Sequence, residues 1–130
     1  MINVTAVIME RDGKILIAKR SSTSSLPNKW EFPGGKVEVA ESPEECLARE
    51  LYEEFDIMVT VGDFIAESVY QYERKTIRLL GFRVQYDDEI TVMNAHDDVK
   101  WVPVEELLDY DLAPADVPIA QRIRSGEIDF

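Results

Sequence analysis

Residues 34–55 read GGKVEVAESPEECLARELYEEF. Within this stretch Ser42, Pro43 and Glu45 have the types and spacing of a helix N-cap, its first helical residue and a capping-box partner. Leu47, Ala48, Leu51 and Phe55 then recur at helical spacing and define one buried face, which predicts a helix over 43–55. Glu50, Glu53 and Glu54 fall on adjacent parts of the other face. Like charges so placed cost about 0.2–0.5 kcal/mol per pair in an isolated helix. A solvated acidic face tolerates that cost in water, and a hard divalent cation bound by oxygen ligands removes it. Both readings are open on spacing alone. Upstream, Gly34-Gly35 forms a loop whose backbone can approach a phosphate or a metal without side-chain clash. Arg49 can pair with Glu41 and lock that loop to the helix, or serve as an ordinary surface partner of its helical neighbours.

Outward from the helix, apolar runs at Val4–Met9 and Ile15–Ala18 flank Asp12-Gly13, a strong tight-turn dipeptide, so residues 2–19 read as a hairpin. Residues 20–29 (RSSTSSLPNK) are polar and turn-rich, hence a surface loop. Trp30–Phe32 reads as a short strand ended by Pro33-Gly34-Gly35. Val59–Tyr72 and Thr76–Tyr86 read as two longer strands joined near Glu73–Lys75. Val99–Val102 reads as a short strand, Pro103–Leu108 as a short helix, and a last helix begins at Asp116 and ends by Gly126. Strands and helices mix without regular βαβ alternation. That pattern implies a mixed α/β (α+β) fold, with residues 1–130 as a single domain.

Composition narrows the function classes. The chain has 130 residues, 45% of them hydrophobic, enough for a packed core and against disorder. Its 26 acidic and 14 basic residues give a formal charge of −12, which repels a phosphate backbone and argues against a nucleic-acid polymer as partner. The apolar runs are too short to span a bilayer, so no membrane association is expected. The single cysteine, Cys46, cannot form an intrachain disulfide, which fits a reducing cytoplasm.

Gly35, five residues, Glu41, seven residues, then Arg49-Glu50-Leu51-Tyr52-Glu53-Glu54 resembles the signature of the Nudix hydrolases. The resemblance implies an α/β/α sandwich with a mixed sheet flanked by helices. It also implies a metal-dependent enzyme that cleaves nucleoside diphosphates linked to another group. Carried over position by position, Glu50, Glu53 and Glu54 would hold Mg²⁺ or Mn²⁺ with help from the Gly34 carbonyl. Glu41, Arg49, Glu50 and Glu53 become the candidate catalytic set. Asp56 stands where the family usually has glycine after the helix, a position that needs left-handed backbone and that Asp tolerates better than most residues.

NKWEFPGGKVE at 28–38 and LAPADVP at 112–118 look like the mutT-like branch, and CTP pyrophosphohydrolases in particular. The resemblance implies conversion of a nucleoside triphosphate to monophosphate and pyrophosphate, with water attacking the β-phosphorus. Arg20 would then contact phosphate, and Glu31, Phe32, Pro33 and Gly34 would line the nucleotide pocket. Asp116 aligns where the branch reads the base; it also reads as a plain helix N-cap, and both roles can coexist. As an acceptor it suits the exocyclic amine of cytosine, or the N–H groups of an oxidised guanine.

Ala95 occupies the place of a glutamate that the branch often uses as base or extra metal ligand. His96, Asp97 or Asp98, or Glu50 or Glu53 on the helix, could take that work. His96, the sole histidine, otherwise reads as a solvated loop residue. Trp30 and Trp101 read as core aromatics and Cys46 as a small packing residue. The departure at Ala95 keeps a rival alive, in which the fold serves as a nucleotide or metal sensor without turnover. An acidic protein-interaction domain is the third reading. Either a monomer or a homodimer is compatible with the sequence.

Overall fold

The structure, a computed structural model, describes all 130 residues. Seven strands and two α-helices follow in the order β1 (Ile2–Ile8), β2 (Glu10–Arg11), β3 (Lys14–Arg20), β4 (Trp30–Glu31), α1 (Pro43–Phe55), β5 (Val61–Tyr72), β6 (Lys75–Val84), β7 (His96–Pro103) and α2 (Val117–Arg124). A 3₁₀ turn, Val104–Asp109, precedes α2. One sheet has the order β1-β6-β5, with β1 and β6 parallel and β5 and β6 antiparallel. In the other, β3 is flanked by β7 along its length and by the short β2 and β4, all antiparallel. No helix is long and apolar enough to cross a membrane.

The alternation of side chains along β1 and β3 explains the layers. Ala6, Ile8, Ile15 and Ile17 enter a buried cluster with Ile119, Ala120 and Ile123 of α2. Val7, Met9, Leu16 and Ala18 enter a second cluster with Leu47, Leu51 and Phe55 of α1. Both strands are therefore covered on both faces, which is why each reads as an unbroken apolar run. The helices on opposite sides complete the expected α/β/α sandwich.

Three expectations change. The hairpin is real only near its turn. Asp12 and Gly13 take positive φ values of 52° and 77°, but strand pairing is confined to Glu10↔Ile15 and Arg11↔Lys14. Beyond Met9 the apolar runs part, because β1 is needed between β6 and the glycine loop. That loop runs along the free edge of β1, where Thr5 and Val7 N–H donate to Gly35 and Pro33 carbonyls at 2.8 and 2.7 Å. Residues 96–98, outside the expected short strand, are drawn into β7 by pairing along β3. Asp116 sits at the N-cap position of α2, but its side chain makes no capping hydrogen bond.

The start of α1 follows the sequence closely. Ser42 Oγ accepts from Glu45 N–H, and the Glu45 carboxylate accepts from Ser42 N–H, closing the capping box. The helix stops at Asp56, which adopts left-handed backbone (φ 56°, ψ 38°) while its N–H donates to Tyr52 O. Asp carries a steric penalty there that glycine lacks. Asp56→Gly is expected to raise the unfolding free energy by about 0.5–1 kcal/mol. Urea denaturation at neutral pH measures the change, and a lower stability than wild type would contradict it.

Candidate active site

The site is built where the glycine loop, α1 and β1 meet. A Cβ added to Gly34 would lie 1.9 Å from the Thr5 carbonyl oxygen, and one added to Gly35 would lie 2.2 Å from the Glu50 carboxyl carbon. The loop can pass between strand and helix only without side chains at these two positions. The Pro33 and Gly35 carbonyls are taken by β1. The Gly34 carbonyl between them accepts no backbone or side-chain hydrogen bond and is left available. Thr5 Oγ1 lies 3.2 Å from Gly35 O and 3.4 Å from the buried Cys46 Sγ, which joins loop, strand and helix from below. Burial, with the Glu41 and Glu50 charges adding to it, keeps that thiol protonated.

Arg49 organises the acids. Its Nε and Nη2 grip both oxygens of Glu41 at 2.7 and 3.1 Å, a bidentate pair that locks the loop onto the helix. Nη1 bridges Glu50 at 2.9 Å and Glu53 at 3.3 Å. The hydrogen bond from Arg49, aided by the Glu38 backbone, holds the Glu41 carboxyl down at about 2. Glu54 lies beyond that cation's reach. Burial first, then the charges of Glu50 and Glu31, push its carboxyl up to about 9, and its Oε2 is buried with no hydrogen-bond partner.

Glu50, Glu53 and Glu54 thus share one helix face, but no three acidic, imidazole or thiolate groups converge on one point. Arg49 Nη1 holds Glu50 and Glu53 together. The donor set nonetheless fits a hard divalent cation: an orphaned carboxylate oxygen on Glu54, a free carbonyl at Gly34 and excess negative charge around both.

Next to this cluster a cavity of about 370 Å³ opens, roughly large enough for a nucleoside. Arg20, Glu31, Phe32, Gly34 and Asp116 all line it; Pro33 does not, and its carbonyl is instead bound to Val7. A second, polar cavity of about 230 Å³ shares Arg20, Glu31 and Gly34 with the first and reaches Glu54, Ala95 and His96. Arg20 is held by Glu31 at 2.8 Å and by Ser25. Asp116 is enclosed; its Oδ2 accepts from Phe32 N–H at 2.8 Å. Burial, reinforced by the Glu31 charge, raises its carboxyl well above the ordinary carboxylate range, against the Phe32 N–H bond and the Arg20 charge, which lower it.

His96 is the main correction. The ring is buried, stacked on Phe55 with centroids 5.5 Å apart and planes 4° apart, and Nε2 lies 2.9 Å from Glu31 Oε2. Pairing of β7 with β3 pulls it inward, because His96 is opposite Arg20 in the register. Trp30 is buried against Tyr110, whereas Trp101 is partly exposed under the Arg11 guanidinium. Sequence reading also missed the far wall of the cavity. Tyr72, Lys75, Ile77 and Leu79 come from the β5–β6 hairpin, and Tyr72 Oη accepts from Ala115 N–H. Alternate residues 75, 77 and 79 share one face of β6, but only the packing of that face reveals that it lines a cavity.

Residues 1–123 match the family model described as NUDIX domain. The chain belongs to the Nudix hydrolase family. It is 42% identical to CTP pyrophosphohydrolase of Escherichia coli K12 over 121 residues, covering 93% of this chain and 90% of that one. It is 27% identical to the 8-oxo-dGTP diphosphatase of the same organism over 118 residues, covering 91% and 92%. The crystal structure of the MutT protein from Methanosarcina mazei Go1 superposes with a TM-score of 0.87 at 25% identity, covering 97% of this chain and 94% of that one. Nudix hydrolases generally use a divalent metal.

The two glycines separate site from scaffold. Gly35→Ala meets only the end of a flexible glutamate, so the fold should survive while Glu50 is displaced; hydrolysis is expected to fall on the order of tenfold to a hundredfold. Gly34→Ala meets β1 backbone and is expected to lower the melting temperature more than Gly35→Ala does. Thermal denaturation beside a pyrophosphate-release assay measures both, and the reverse order of melting temperatures would contradict the geometry.

Proposed function

We propose that this Nudix hydrolase is a divalent-cation-dependent nucleoside triphosphate pyrophosphohydrolase. It converts a ribo- or deoxyribonucleoside triphosphate and water to the monophosphate and pyrophosphate. Mg²⁺ is the cation, with Mn²⁺ able to replace it. Cytosine-bearing or oxidised nucleotides (CTP, 5-methyl-dCTP, 8-oxo-dGTP) are the substrate class. The observation that carries this reading is the pair of adjoining cavities, with enclosed Asp116 at one end and the under-compensated α1 carboxylates at the other. One end suits a polar base edge and the other a cation-bridged triphosphate.

Glu50, Glu53 and Glu54, with the Gly34 carbonyl, would hold the cation. When bound, it offsets the charge of the triphosphate against a protein of charge −12 and polarises the phosphoryl oxygens. Arg20, oriented by Glu31 and Ser25, presents its guanidinium to phosphate. Glu53 is the more exposed of the Arg49-bridged pair, its side chain 55% accessible against 17% for Glu50. It accepts the proton of the water that attacks the β-phosphorus. The bond from the β-phosphorus to the bridging oxygen breaks, and the monophosphate departs with that oxygen. Arg49 and Glu41 hold the loop and helix in register during this reaction. As an acceptor, Asp116 suits the exocyclic amine of cytosine. The relative named CTP pyrophosphohydrolase supports that preference. Free nucleotide is the partner rather than a nucleic-acid polymer, the acting unit is a monomer or homodimer, and the buried thiol Cys46 fits a cytoplasmic setting.

Incubation with CTP, 5-methyl-dCTP and 8-oxo-dGTP plus Mg²⁺ is expected to release pyrophosphate, and Glu53→Gln and Glu54→Gln are each expected to lower the rate by about two orders of magnitude or more. Wild-type rates in both variants would remove the roles assigned to these carboxylates. Saturable nucleotide binding without product across that panel would favour the sensor reading instead.

Cation uptake carries a pH signature. Glu54 in the folded chain holds a proton between its ordinary 4.5 and about 9 that the unfolded chain would release. Ionising it therefore destabilises the metal-free fold as pH rises through that window. A bound cation requires the ionised carboxylate. Apparent Mg²⁺ affinity is thus expected to rise with pH across this range, by at most about tenfold per unit for one proton. Calorimetry at pH 7 in buffers of different ionisation enthalpy should detect the released proton; affinity that falls as pH rises would refute the assignment.

A further inference from the structure

The last turn of α1 is electrostatically awkward. It carries Glu53 and Glu54 at the helix end where the backbone dipole is negative, and no basic residue lies in that turn to offset them. Its terminal carbonyls would also lack partners within the helix. Asp56 N–H supplies one donor, to Tyr52 O. The next two carbonyls are both satisfied by a single residue some forty positions away: Asn94 Nδ2 donates to Glu53 O at 2.9 Å, and Asn94 N–H to Glu54 O at 2.8 Å. Two residues on, His96 stacks flat on Phe55, the residue that follows Glu54, and bonds Glu31 Oε2 through Nε2. The other Glu31 oxygen holds Arg20 at the nucleotide cavity.

We propose that Asn94 and His96 form a clamp of two positioning residues for the hydrolysis. Asn94 holds the acidic last turn of α1, and His96 ties that turn, through Phe55, to the Glu31–Arg20 pair. Ala95 between them leaves the polar cavity beside Glu54 open, so this segment contributes geometry where a longer side chain would contribute a group. The clamp joins the two ends of the site, because α1 and the Arg20–Glu31 pair have no other direct side-chain bond to one another. The two residues should act differently. Asn94 hydrogen-bonds to the turn that bears Glu53 and Glu54, so its loss acts on cation binding. His96 reaches Glu31, so its loss acts on the Arg20 end and on nucleotide binding.

This inference rests on the hydrolase reading above, and one experiment separates the two. Wild type, Asn94→Ala, His96→Phe and His96→Gln are titrated with Mn²⁺ alone by calorimetry, then assayed with CTP. Asn94→Ala is expected to weaken Mn²⁺ binding on the order of tenfold, as loss of an outer-shell partner does. His96→Phe keeps the ring stack but loses the bond to Glu31. It is expected to raise KM about tenfold, with Mn²⁺ affinity within twofold of wild type. His96→Gln, which retains a donor, is expected to recover part of that loss in KM. Variants that fold and keep both Mn²⁺ affinity and KM within twofold of wild type overturn the clamp, as does a His96→Gln no better than His96→Phe. If His96→Phe does not fold, Asn94→Ala and His96→Gln carry the same test. A wild type that binds no Mn²⁺ and releases no pyrophosphate overturns the hydrolase reading, and the clamp with it.

Discussion

Between β1 and α1 there is space for a backbone and for nothing more. The Thr5 carbonyl stands where Gly34 would carry a Cβ, and the Glu50 carboxyl stands where Gly35 would carry one. Everything chemical in the molecule is arranged around that tight passage. It leaves the Gly34 carbonyl without a hydrogen-bond partner, sets Glu50 against the loop, and brings Glu41 within a bidentate grip of Arg49. A loop with side chains at these positions would stand off the strand, and the carboxylates would face solvent as an ordinary acidic helix surface.

The passage also concentrates charge. One guanidinium contacts Glu41, Glu50 and Glu53 at hydrogen-bond distance, and Glu54 is left over, desolvated and protonated. Burial and the neighbouring carboxylates hold that acid in its neutral form above the usual carboxylate range, and nearby positive charge would favour its ionisation. The sandwich supplies the rigidity for this: β1 and β3 are buried on both faces, so the loop and helix anchored to them have little freedom to relax the repulsion by moving apart.

Much of this is legible in the sequence. The capping box at Ser42–Glu45, the apolar stripe Leu47–Leu51–Phe55 and the left-handed stop at Asp56 are local matters of backbone geometry and helical period, and the structure repeats them. Long-range pairing was less legible. The Asp12-Gly13 dipeptide signals its turn, but the apolar runs on either side of it extend into different sheets, because a strand covered on both faces has no alternation to reveal its neighbours. His96 looked like a loop residue for a related reason. Its flanks are polar, and only the register with β3 turns it inward onto Phe55 and Glu31.

The sequence by itself determined the acidic helix, its caps, the glycine loop and the Arg49–Glu41 spacing, since each depends on residues within a few helical turns of one another. Tertiary structure alone decided which carboxylate is left unpaired, that Asp116 bonds Phe32 instead of capping α2, and that the β5–β6 hairpin walls the cavity. These outcomes depend on burial and on contacts spanning 43 and 84 residues. Desolvation and long-range hydrogen bonding are properties of packed neighbours, and no local pattern encodes which neighbours will meet.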